Sequence, residues 1–148
     1  MFLLSGCMTI GPAKSTKNYS TMTAMSAVEY TTFISKEIAT VNNQLVTRLS
    51  MATSVLDGTY DPVKEKQNAE ESLEKVSAVI DEVTVTMPAK TYGTDRQNTL
   101  DLMNDAKVAL EEYILALDQN DVLMISTCVS DFKATCIALS GEANADYQ

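Results

Sequence analysis

The sequence predicts an all-α protein, an antiparallel up-down-up-down four-helix bundle, and three observations carry that expectation. Apolar residues recur at steps of three and four through four segments, the spacing that lines one face of a helix. Capping residues and breaks divide these segments at intervals of helix length. Glycine and proline are scarce, five and three in 148 residues, too few for the tight turns of an all-β fold. With 45% apolar and 21% charged residues, the chain has the composition of one folded domain rather than a disordered one.

The first helix is expected over residues 26–57. Ser26-Ala27-Val28-Glu29 matches a capping box, in which the serine hydroxyl accepts from a free amide and the glutamate reaches back. Its stripe is Ile34, Ile38, Val41, Leu45, Leu49, Ala52 and Leu56, and Gly58 stands where a left-handed C-terminal residue belongs. The second helix starts at Asp61-Pro62, a good N-cap followed by a residue with no amide to lose. Ala69, Leu73, Val76, Ile80 and Val83 form its stripe, and Pro88 ends it. Val83-Thr84-Val85-Thr86 alternates like a strand, but with no partner strand it reads as a weak helix end.

Thr94-Asp95-Arg96-Gln97 reads as a second capping box opening the third helix, whose stripe is Leu100, Met103, Ala106, Leu110, Tyr113 or Ile114, and Leu117. The fourth carries Val122, Ile125, Val129, Phe132, Cys136 and Leu139, with Gly141 near its end. Between them Asn120 can take left-handed angles and Asp121 can cap the fourth helix; one kinked helix over 95–140 is the alternative. Short joins make neighbours antiparallel. The bundle then occupies 26–142, preceded by 1–7 and a linker over 8–25, and succeeded by a tail over 143–148. No stretch reads as a membrane-spanning run of about 18–20 apolar residues.

Charge and composition exclude several functions. The net charge is −9, with three basic and ten acidic groups after residue 94. Such a surface repels phosphate backbones and anionic headgroups, so no nucleic acid is expected as a partner. Histidine is absent, which removes histidine-activated nucleophiles, His-containing zinc sites and the Glu-x-x-His pairs of di-iron bundles. Of three cysteines, Cys128 and Cys136 lie eight residues apart, roughly 12 Å along one helix, too far for a disulfide and suited to packing.

The chain opens Met1-Phe2-Leu3-Leu4-Ser5-Gly6-Cys7. Leu4-Ser5-Gly6-Cys7 resembles the lipobox of bacterial lipoproteins: an aliphatic residue, two small residues, then cysteine. The resemblance implies a diacylglycerol on the Cys7 sulfur and cleavage just before it. Only Met1 to Leu4 precede the box, with no basic residue, so Phe2-Leu3-Leu4 is expected to be the end of a signal peptide whose start lies upstream. Residues 8–25, rich in Ser, Thr and Lys, would then be a tether of roughly 23 Å. In a cell with two membranes the resemblance further implies that inner-membrane retention is not signalled, because Met8 rather than aspartate follows the cysteine.

Candidate sites in the body are weak. The carboxylate clusters Glu70-Glu71-Glu74, Asp81-Glu82 and Glu111-Glu112 flank the apolar stripes, as a solvated face does. Met22-x-x-Met25 has soft-metal spacing but only two thioethers. The hydroxyls crowding the first helix, and Ser35-Lys36, need no more than bonds to the preceding turn. Leu123, Cys128 and Ile137 are the candidates for an extra apolar stripe.

The expectation is a non-enzymatic, lipid-anchored bundle with no catalytic, cofactor-binding or metal-binding residues and with Cys7 as its lipidation site. It would be extracytoplasmic, held to the membrane by the lipid, with an envelope protein as partner. The acidic third and fourth helices are the face suited to a basic one. The alternatives are a sensor or carrier bundle with an apolar pocket between helices, and a cytoplasmic or phage structural bundle in which the lipobox is accidental.

Overall fold

A computed structural model describes residues 24–145. Cys7, the 1–7 segment, most of the 8–25 linker, Met22 and the last three residues of the tail lie outside them. Among the described residues there are four long helices: α1 (Ala27–Leu56), α2 (Pro62–Val85), α3 (Gly93–Gln119) and α4 (Val122–Ala145). A 3₁₀ turn, Lys90–Tyr92, precedes α3. α1 packs on α2 and α4, α3 packs on the same two, and the α1–α3 diagonal touches only thinly, so the helices form a bundle around one core.

The helix ends obey local chemistry closely. At α1 the Glu29 amide donates to Ser26 Oγ, and the Ser26 amide donates back to Glu29 Oε2 at 2.9 Å. The Ser26 hydroxyl, which donates to Glu29 Oε2 at 2.7 Å, and then the Ser26 amide hold the Glu29 carboxyl below the usual glutamate range. Gly58 has φ +70, the left-handed angle that favours glycine at a helix C-terminus. Asp61 caps α2 through the Val63 amide at 2.9 Å, with Pro62 as the first helical residue. Asn120 at φ 52 separates α3 from α4, and Asp121 Oδ1 accepts from the Met124 amide at 2.9 Å. Two helices therefore replace the single kinked alternative.

Five expectations need correction. α3 begins at Gly93 and takes no side-chain cap. The 3₁₀ turn leads straight into the helix, so Thr94 is already in the first turn, and Gln97 donates to Asp101 at 2.8 Å instead of reaching back. α4 passes through Gly141 to Ala145, past the expected boundary at 142. One glycine costs about 1 kcal/mol in a helix without breaking it, and Ala143 beyond it still packs on the core. Val122, placed in the α4 stripe, is 62% exposed, and Cys128, offered for an outer stripe, is buried. Finally, α4 does pass a length and composition test for a membrane span: an 18-residue window within Val122–Asn144 has mean hydropathy 1.5. Only Asp131 and Lys133 are charged between residues 122 and 140, but here Ile125, Phe132 and Leu139 of α4 are buried in the bundle core.

The core stripes otherwise fall where periodicity places them. Ile34, Ile38, Val41, Leu45 and Ala52 of α1 meet Ala69, Val76 and Val83 of α2, Leu100, Met103, Ala106, Leu110, Tyr113 and Leu117 of α3, and the three α4 residues above. Contacts between helix ends align the neighbours. The Met25 amide bonds Met87 O at 3.3 Å, and Arg96 at the start of α3 donates to Val83 O and Thr84 O at the end of α2. The guanidinium thus closes the carbonyl end of the Val83–Thr86 stretch that alternates like a strand. Lys66 pairs with Asp118, and Asn42 Nδ2 donates to Ser140 Oγ at 3.1 Å.

Candidate functional site

Two features stand out, one inside the bundle and one on its surface. The inner one joins three helices. Glu65 lies on α2 four residues before Ala69, so helical spacing points it into the core, and it is fully buried. Arg48 of α1 sits between the core positions Leu45 and Ala52 and donates from Nη1 to Glu65 Oε2 at 2.8 Å. Tyr113 of α3 donates its hydroxyl to Glu65 Oε1 at 3.2 Å, and its ring meets Phe132 of α4 edge-on at 5.3 Å. Asn68, also beside Glu65, donates to Tyr60 Oη at 3.1 Å.

Burial pushes the Glu65 carboxyl up, while Arg48, Tyr113 and Asn68 pull it back. Burial, with the Glu65 charge beside it, holds the Tyr113 hydroxyl well above the usual phenol range. Both Glu65 oxygens are occupied and no part of the residue meets solvent. The set ties α1, α2 and α3 together; it offers no substrate a place. One donor within it, Arg48 Nε, is buried without a hydrogen-bond partner, and such an orphan costs about 1–3 kcal/mol. A second buried acid, Glu37 of α1, has Lys36 Nζ at 3.2 Å, yet that contact lacks hydrogen-bond alignment and leaves Oε1 unbonded.

Arg48, Glu65 and Glu37 are not among the residues that motif and cluster reading singles out. A signal for them is nonetheless present: each is a charged residue falling in register with an apolar stripe, where a solvated side chain does not belong.

The outer feature is an open groove of about 270 Å³ between α3 and α4. Asp105, Val108, Ala109 and Glu112 of α3 line one wall; Asp131, Ala134 and Thr135 of α4 line the other. Val108 is 50% exposed there. None of the three carboxylates takes part in an ion pair among the described residues. Cys128 is buried nearby, its thiol pushed up to about 11 by burial first and then by the Asp131 and Glu112 charges. The Cys136 thiol is raised by burial too. Both are free thiols of low reactivity, in keeping with a packing role.

The residues singled out from sequence are not brought together. Glu70, Glu71, Glu74, Asp81, Glu82, Glu111 and Glu112 are all exposed, and of these only Glu112 joins the groove. Met25 packs against the core. The α1 hydroxyls of Thr31, Thr32, Thr40, Thr47, Thr53 and Ser54 bond back to the preceding turn. Among the described residues no three Cys, Asp or Glu side chains converge to hold a metal ion. Comparison with known protein families, curated proteins and solved structures finds no match to this chain.

Proposed function

We propose that the chain is a lipid-anchored bundle of the bacterial cell envelope that binds a protein partner and catalyses nothing. The observation that carries the anchor is Leu4-Ser5-Gly6-Cys7, in which the small residues precede the one thiol placed to take a lipid. The binding role draws on the contrast between the two features above. The buried carboxylate is already partnered, whereas the groove carboxylates stand ready for a basic surface. Part of the same reading is that the helices run antiparallel in up-down-up-down order, which the paired ends of α1 with α2 and of α2 with α3 support. A sensor would need an enclosed apolar cavity, and the α3–α4 groove, open and rimmed by acids, does not suit it.

Detergent phase partition of the protein expressed from its full natural reading frame, beside Cys7→Ala, tests the anchor. Wild type in the detergent phase with the variant in water is the expected result. Both in water would overturn the anchor and leave a bundle whose lipobox is accidental.

A further inference from the structure

We propose that the groove between α3 and α4 seats an arginine- or lysine-bearing segment of a partner protein, with the cation between Glu112 and Asp131 and its aliphatic stem along Val108, Ala109 and Ala134. The proposal rests on the reading of the chain as a protein-binding bundle and gives that reading a place and a chemistry.

The register comes from the core. Tyr113 and Phe132 meet at 5.3 Å between ring centroids, so the residues before them in sequence, Glu112 and Asp131, stand at one level on facing helices. Two carboxylates on one groove with no cation beside them repel each other, and a guanidinium or ammonium between them relieves that. Asp105 lies two turns from Glu112, about 10.5 Å along the helix, and marks a second cation position at the other end of the groove.

The floor selects the class of cation. Val108, Ala109 and Ala134 are apolar, and arginine and lysine carry their charge on apolar stems that cover such surface. A bare metal ion gains nothing from that floor. The volume, about 270 Å³, lies just under the roughly 300–1,000 Å³ usual for a small-molecule pocket. The groove is also open along its length, which suits a side chain delivered by a second protein surface. Arginine is among the residues that dominate such interfaces.

The test titrates the unlipidated full chain, labelled for amide NMR, with a capped six-residue peptide alternating arginine and leucine. The same peptide with citrulline for arginine is the neutral control. Saturable shifts are expected at Val108, Ala109, Ala134 and Thr135, with affinity at least about tenfold weaker for the citrulline peptide. Glu112→Gln with Asp131→Asn should weaken the arginine peptide by about tenfold or more, while Glu70→Gln with Glu71→Gln, an equal charge change on exposed α2, leaves it unaltered. Thermal unfolding monitored by circular dichroism checks that both double variants fold. Equal weakening by the two double variants, or shifts spread over the whole acidic surface, would overturn the seat. Spermidine saturating the same amides as tightly as the peptide would overturn the protein partner and assign a small polyamine. Because the chain here carries no lipid, a failed titration removes the groove alone, and a failed phase partition removes the anchor alone.

Discussion

Tyr113 and Glu112 are consecutive on α3, yet they belong to opposite regimes. Tyr113 points inward and completes the hydrogen bonding of Glu65; Glu112 points outward and lines a groove with Asp131. The inner carboxylate is buried with every oxygen matched, because an unmatched charge there would cost several kcal/mol. The outer carboxylates go unmatched because water screens them at little cost. The same side-chain chemistry therefore fastens helices in one region and remains available to a partner in the other.

The sharpest way to break that comparison is to remove a partner inside. Arg48→Ala leaves Glu65 buried and unpaired and should cost about 3–5 kcal/mol in urea unfolding. Arg48→Met combined with Glu65→Leu should cost far less, since apolar replacement of a whole buried pair is often close to neutral. A double variant as unstable as Arg48→Ala would mean that shape, not charge, holds this layer. Tyr113→Phe removes one hydrogen bond to the carboxylate and should cost about 1.5–3 kcal/mol.

Acidity reads the same layer with a defined sign. Glu65 is raised above the ordinary glutamate value of 4.5, so the folded state holds its proton more tightly than the unfolded chain does. Stability contributed by that proton is complete below 4.5 and is lost as pH rises through the folded value. Relative to Glu65→Gln, the wild type should therefore weaken as pH climbs from 4.5 toward neutrality. A wild-type advantage that grows with pH would show that Arg48 favours the ionised form by more than burial opposes it.

Smaller effects sharpen the picture at helix ends and on the surface. Asp121→Ala removes the α4 cap and should cost about 1 kcal/mol, whereas Thr94→Ala, which caps nothing, should stay within about 0.5 kcal/mol of wild type. Outside, Glu112→Gln with Asp131→Asn should leave thermal stability unchanged or raise it by a few tenths of a kcal/mol, roughly the scale of exposed charge pairs. A marked loss of stability there would place those carboxylates in the structural class with Glu65.

Much of this is legible along the chain itself. The capping box at Ser26, the left-handed Gly58, the Asp61-Pro62 start and the Asn120-Asp121 break depend on bonds within a few residues of one another, so local sequence determines them. The stripes through Val41, Leu45, Val76, Met103 and Leu110 are equally local, since helical period alone aligns them. Tertiary structure decided the rest. Thr94 lost its cap because a 3₁₀ turn and the Tyr30–Tyr92 ring contact at 5.9 Å set where α3 begins. Arg48, Glu65 and Tyr113 belong to three helices, and no spacing within one helix reveals that their heads meet. Glu112 and Asp131 read as solvated acids until α3 and α4 are laid side by side. Short-range bonds and helical period can be read along one chain; which side chains share a layer or a groove is set by packing between segments far apart in it.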